Sequence, residues 1–295
     1  MISSALEPNV SVRTNDREAK AIRALGELPP FSPILSKLLA SLAKDDVSLV
    51  QLGDLIEKDA VVAGNILHIV NSAMYARRSH VNSVRYALSL LGTEKIRNLV
   101  LGMQIAGMWN HARCPKGLSM SRFNMHSAAV AMLADSLAQQ LEVEYPEGAF
   151  VAGLLHDVGE LLIGMGLPQE FGLVLKHHSE SKKPIPECES EILGFTHSKM
   201  SGIALEAWKL PEPICRAVRM HHDNLAFAHG GEIPLGRIVD AADRYVESVG
   251  LSTFDTPEVP PDLPCIMQLG LSKERAEKLL VDFEAEFEST AQYFR

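Results

Sequence analysis

Phe150-Val151-Ala152-Gly153-Leu154-Leu155-His156-Asp157-Val158-Gly159 carries an imidazole and a carboxylate at the end of an apolar run. Residues of such a run face a core, and polar groups buried beside them without partners cost several kcal/mol. A divalent cation removes that cost, because a neutral imidazole and a carboxylate can both donate directly to it. Ala152, Gly153 and Gly159 are small enough to let a second helix approach and bring further donors to the pair. The stretch reads as a buried helix over about 147–165 with a candidate metal site beside it.

Working outward, the rest of the chain also reads as helices. Ser32-Pro33 sets a capping hydroxyl before a proline at the first helical position, and Ile34, Leu35, Leu38, Leu39 and Leu42 recur with a helical period. Ser48 and Asp59 start the next two, and Ser83 starts a fourth that Gly92 ends. Thr93 opens a fifth, running to about Asn110. His111 to Ser119, with Pro115 and Gly117, reads as a connection between halves. Beyond it, helices are expected at about 120–141, 168–180, 186–194, 197–209, 212–222, 234–248 and 273–292. The last keeps Ala276, Leu280, Phe283, Phe287 and Phe294 near one face, the pattern of intramolecular packing. No sustained alternation calls for a sheet. The expected fold is all-α, with a tail or short helix over 1–24 and an N-terminal subdomain of about five helices over 25–112. That subdomain packs on a helical bundle over 118–250, followed by a proline-rich connector and C-terminal helix over 251–295.

Further donors lie at inward positions of these helices. His126 shares a stripe with Val130, Leu133, Leu137 and Leu141. His221 and His222 follow Ile214 and Val218, and Asp243 lies among Val239, Ala242 and Val246, with Asp240 its rival one turn earlier. His197 adds a fifth isolated position. His177-His178 precedes a polar segment and reads as surface; His68, His80, His111 and His229 have no ligand pattern beside them and read as structural or solvated.

Composition limits the alternatives. In 295 residues with 46% hydrophobic content there is enough apolar material for a substantial core. Acidic residues outnumber basic ones, 37 against 28, and a formal charge of −9 opposes binding to phosphate backbones and anionic lipid. Arg77-Arg78 with His80 is a small basic cluster that reads as a solvated loop, so nucleic acid is not expected as a partner. Residues 1–19 lack a signal-peptide core, and the apolar run Leu99–Trp109 is interrupted by Gln104 and too short to span a bilayer. Cys114, Cys188, Cys215 and Cys265 lie far apart without Cys-x-x-Cys spacing, as expected of thiols in a reducing compartment. No membrane association and a cytoplasmic location are expected.

The chain resembles the HDOD family, the HD-related output domain proteins of bacterial signalling, relatives of the HD and HD-GYP metal-dependent phosphohydrolases. The likeness is carried by Leu28-Pro29-Pro30, Asp59, Leu67, Asn71-Ser72-Ala73-Met74-Tyr75, Ala87 to Gly92 and Gly153 to Gly159. It continues in Leu193-Gly194-Phe195-Thr196-His197, Ala207-Trp208-Lys209-Leu210-Pro211 and His221-His222. The resemblance implies an HD-like bundle in the second half. It further implies that His126, His156-Asp157 and Asp243 hold one ion, that His197 and His221-His222 hold a second, and that Asp157 bridges them. One or two divalent transition metals are implied, among iron, manganese, zinc and nickel.

Two departures separate the chain from HD-GYP enzymes. Glu160 stands where they have a phosphate-holding lysine, and Asp223-Asn224-Leu225-Ala226-Phe227 replaces the Gly-Tyr-Pro element. Arg122, one turn before His126, and Arg244, beside Asp243, are the candidate phosphate contacts that remain. The expected function is therefore a regulatory module acting on a signalling protein. The alternative is a metal-dependent phosphohydrolase acting on a phosphomonoester or a nucleotide phosphodiester. No receiver, kinase or cyclase segment lies within the sequence, so input is expected to come from another chain or a ligand.

Overall fold

The computed structural model describes residues 9–42, 49–72, 80–223, 225–227, 231–254 and 260–294. Arg77, Arg78 and His229 lie outside the described residues, as does the part of the family likeness at Ala73-Met74-Tyr75. Regular structure among the described residues is helical, with one isolated parallel bridge between Val143 and Ile233.

The first half contains α1 (Asn9–Ala24), α2 (Pro33–Ser41), α3 (Leu49–Ile56), α4 (Ala60–Val70), α5 (Val84–Leu91) and α6 (Thr93–Asn110). Their starts are fixed by side chains that accept otherwise orphaned backbone N–H groups: Ser32 from Leu35, Asp59 from Val61 and Val62, and Ser83 from Tyr86. Gly92, at φ 87°, turns the chain from α5 into α6. Within the expected tail or short helix, residues 9–24 form α1, which lies against α9 (Val158–Gly166) and α12 (His197–Ala207) of the second half.

The second half is built on α7 (Met120–Ala138), capped by Ser119 and packed on α8 (Ala149–Leu155) and α14 (Leu235–Ser248). Around them run α10 (Pro168–Ser181), α11 (Ile185–Ile192), α13 (Glu212–Arg219), α15 (Leu263–Met267) and α16 (Lys273–Thr290). The apolar face of α16 turns inward as its pattern requires. Phe283 and Phe287 are buried, α16 lies on α7, and Phe294 reaches Gly102 of α6. One connected hydrophobic cluster thus runs through both halves.

Two helices end beside candidate donors, earlier than their periodicity suggests. The segment expected as one helix over 147–165 is broken at His156-Asp157, where Asp157 takes φ −102° and ψ 11°, the sparsely populated bridge region. α13, expected to reach residue 222, stops at Arg219, so His221 and His222 sit on the turn beyond it. At both breaks an imidazole finishes the helix: His156 Nδ1–H donates to the Gly153 carbonyl (2.8 Å) and His221 Nδ1–H to that of Val218 (2.7 Å). By length and composition Pro146–Gly166 is a candidate membrane span, with a mean hydropathy of 1.4 that the Leu99–Trp109 run did not foreshadow. It contains the His156-Asp157 break and Glu160, and its most apolar 18-residue stretch is wholly buried, as core helices are.

Candidate metal centre

α8 and α9 deliver His156 and Asp157, and three further elements close around them. Gly153 brings α8 so near α7 that a methyl group there would lie 2.8 Å from the Ala131 Cα. His126 of α7 is thereby set with its Nε2 3.3 Å from the Nε2 of His156. Gly159 does the same for α12, its N–H donating to Ser201 Oγ (2.8 Å). α14 adds Asp243.

All seven residues expected from the sequence converge, in two sets that share Asp157. In the first, His126 Nε2 lies 3.4 Å from Asp157 Oδ2 and 3.2 Å from Asp243 Oδ1; His156 Nε2 lies 3.2 Å and 3.7 Å from the same two oxygens. In the second, the other oxygen of Asp157, Oδ1, lies 3.2 Å from His197 Nε2 and 3.8 Å from His221 Nε2. His222 Nε2 is 3.0 Å from His197 Nε2. Asp240, the rival of Asp243, pairs instead with Arg237 at 3.1 Å.

Orientation of the rings is set from behind. His126 Nδ1–H donates to the Leu251 carbonyl (2.8 Å) and His197 Nδ1–H to Glu189 Oε2 (2.8 Å), alongside the two helix-end bonds of His156 and His221. Each of these four imidazoles therefore has its Nδ1 proton committed outward, so that its neutral form presents a bare Nε2 inward, the arrangement that metal-ligating histidines require. The Nε2 of His221 is fully enclosed and has no hydrogen-bond partner. A buried orphan nitrogen facing a carboxylate oxygen and two other imidazoles fits a divalent cation. The donor chemistry is that of a divalent transition-metal site.

The protein's own charges are strained toward the same end. Burial disfavours a charged imidazole at His126, His156 and His197, but the adjoining carboxylates outweigh it. His126 and His197 titrate well above the ordinary histidine range, and His156 is raised to about 9. His221 goes the other way, pushed down by burial and then by the neighbouring imidazoles. Asp157 and Asp243 are held well below the usual carboxylate range: burial opposes this, and the facing histidines overcome it. Glu160 is raised well above its ordinary value by burial and by the charge of Asp157.

A cavity of about 430 Å³ opens over Asp157, His197, His222 and Asp243, with Glu160, Glu187 and Glu247 on its walls. Neither arginine expected as a phosphate contact is uncommitted. Arg122 donates from Nε to the Ser252 carbonyl (3.1 Å) and from Nη2 to that of Phe254, tying down the loop whose Leu251 holds His126. Arg244 lines the cavity but is paired with Asp262 at 2.7 Å.

Sequence reasoning missed three participants. Glu189 is completely buried behind His197, and nothing in Glu187, Glu189 and Glu191 distinguishes the middle one. The Leu251 carbonyl is a backbone group and leaves no mark in the sequence. His178, expected on the surface, is half-buried at the cavity mouth, its Nδ1–H given to the Lys183 carbonyl (2.7 Å). Of the other histidines, His111 donates to the Gly107 carbonyl and His177 pairs with Glu191.

Comparison with known proteins gives a consistent family. The HDOD domain profile matches residues 28–224. A Geobacter sulfurreducens HDOD domain protein of unknown function superposes with a TM-score of 0.72 at 25% identity, covering 96% of this chain and 97% of its own. A Shewanella amazonensis SB2B protein, provisionally named a phosphohydrolase, shares the fold with a TM-score of 0.70 at 20% identity, over 94% of this chain and 98% of its own. In sequence, the cyclic di-GMP phosphodiesterase PA4108 of Pseudomonas aeruginosa is 38% identical over 112 residues, 32% of this chain and 27% of that protein. An uncharacterized protein of Treponema pallidum (strain Nichols) is 21% identical over 94% of this chain, which spans 54% of that relative's length.

Proposed function

This chain belongs to the HDOD domain family, and we propose that it is a cytoplasmic regulatory module whose second half is stapled by two divalent ions and whose output is contact with a signalling protein. His126, His156, Asp157 and Asp243 would hold one ion, and Asp157, His197, His221 and His222 the other. Iron, manganese, zinc and nickel all suit such imidazole-rich donors. When bound, the ions would cross-link α7, α8, α12 and α14 and would supply Lewis acidity to anything entering the cavity.

One observation carries the regulatory reading: the metal donors are complete, while the means of receiving a phosphate is missing. Arg244 is the only arginine or lysine among the described residues lining the cavity, and it is spent on Asp262. Glu160 sets a carboxyl group, not a cation, where an anionic ester would have to lie.

The second reading, a phosphohydrolase, is favoured by the completeness of the same donors and by the partial likeness to a cyclic di-GMP phosphodiesterase. Elemental analysis, followed by assay of the manganese- and iron-loaded protein on bis(p-nitrophenyl) phosphate, p-nitrophenyl phosphate and cyclic di-GMP, separates the two. The regulatory reading expects bound metal and no turnover above that of free metal. Turnover that vanishes in Asp157→Ala would remove it in favour of hydrolysis.

A further inference from the structure

Glu160 lies on the first turn of α9, 3% exposed, and its Oε2 has no hydrogen-bond partner. A buried carboxylate oxygen without a partner is among the costliest features a fold can keep. The side chain cannot easily be relieved by swinging outward. α9 is pressed against α12 at the adjacent residue, where a methyl group on Gly159 would meet the His197 carbonyl at 2.0 Å. Glu160 also lines the cavity beside the second set of donors.

We infer that Glu160 is itself a metal ligand, joining Asp157 and His197 around the second ion and filling the coordination position that a hydrolase leaves to water or substrate. The inference rests on the two-metal reading above. Donor atoms of Asp157, Glu160 and His197 all lie within 4.8 Å of one another; ligands about 2.1 Å from a shared ion stand up to about 4.2 Å apart, so an inward shift of about half an ångström brings all three onto one ion. Charge points the same way. Asp157, Glu160, Glu189 and Asp243 are all buried, and imidazoles bound through Nε2 are neutral. Two divalent ions balance these four carboxylates without any added anion. A hydroxide or phosphate would make the buried centre net negative, and only the loss of Glu160 from the centre would restore the balance. A site whose positions are filled by protein groups is a structural site, and one with an open position is a catalytic site. Glu160 thus adds a fifth protein donor to Asp157, His197, His221 and His222 at the second ion, and the staple is the ion's role.

The test uses the full chain stripped of metal and titrated with Mn²⁺, comparing wild type with Glu160→Gln by chelator competition and by melting with and without metal. The wild type is expected to take up two ions. In Glu160→Gln the weaker of the two should bind roughly 10–100-fold less tightly. The metal-free variant should melt at or above the metal-free wild type, because the amide replaces a buried carboxyl whose ionisation the site opposes, while its gain on adding Mn²⁺ should be smaller. Equal affinities in the two proteins, or a melting temperature lowered by the same amount with and without Mn²⁺, would overturn the role of Glu160 and leave the two-metal reading standing. A wild type that takes up no Mn²⁺ removes both. Should the variant not fold, a crystal structure of the Mn²⁺-loaded wild type decides: a Glu160 oxygen at about 2.1 Å from an ion supports the inference, and one well beyond bonding distance ends it.

Discussion

A single methyl group added at residue 159 would sit 2.0 Å from the carbonyl oxygen of His197, a backbone atom that cannot rotate away. Gly159→Ala must therefore push α9 from α12, and overpacking of this kind costs about 3 kcal/mol. Calorimetry should show a fall in melting temperature of roughly 10 °C; a change within about 2 °C would mean the contact is softer than it looks. The double role of Asp157 leads to another expectation. Its Oδ2 faces His126 and His156 while its Oδ1 faces His197 and His221. Asp157→Asn should lose both ions and His221→Ala only one, as read by elemental analysis of protein loaded under the same conditions; equal stoichiometry in the two variants contradicts the bridge. At this scale the sequence was informative, since polar groups on otherwise apolar faces stand out: His126 was visible that way, whereas His197, and Asp243 over Asp240, were picked out by family resemblance. Glu160 was visible only as a reversed charge. Glu189 and the Leu251 carbonyl were not, because an acidic residue in an acidic helix and a backbone oxygen carry no distinguishing pattern.

Helix starts were legible because their caps are local chemistry: Ser32, Asp59, Ser83 and Ser119 each accept the backbone N–H groups that a helix start must satisfy. The break between α8 and α9 was not, since both flanks are uniformly apolar and continue one periodicity, and what interrupts them is tertiary. The loop after α14 was equally hidden. It matters because Leu251 orients His126, and Arg122 holds that loop by two carbonyls at once. Arg122→Ala should therefore weaken metal binding by roughly 10–100-fold at the position of His126, His156 and Asp243, the usual consequence of losing an outer support. Arg122→Lys should fail to restore it, because an ammonium group lacks the planar fork that reaches both oxygens. Competition titration against a chelator measures both variants. Full recovery in the lysine variant would show that charge rather than geometry matters here.

Across the whole molecule, the fold joins parts that the sequence divides. The hydrophobic cluster is continuous from α2 to Phe294, and α1 lies across α9 and α12, so a staple in the second half stabilises the chain as one body. The sign of its pH dependence follows from the buried imidazoles. Without metal, His126, His156 and His197 have folded pKa values raised above the unfolded one, so their contribution to stability is full below about 6.5 and fades as pH rises, for His156 through about 9. With metal, the same imidazoles must be deprotonated to bind, so affinity grows over the range in which metal-free stability declines. The melting temperatures of the loaded and stripped proteins should therefore diverge between pH 6.5 and 9, the gap near neutral pH being roughly 10 °C if the ion is at a thousandfold excess over its Kd. Metal uptake at pH 7 should release protons from these three residues and none from His221, whose pKa is already pushed low. Calorimetric titration in two buffers of different ionisation enthalpy counts those protons. A pH-independent gap with no proton release would mean that the ions bind somewhere other than at the imidazoles.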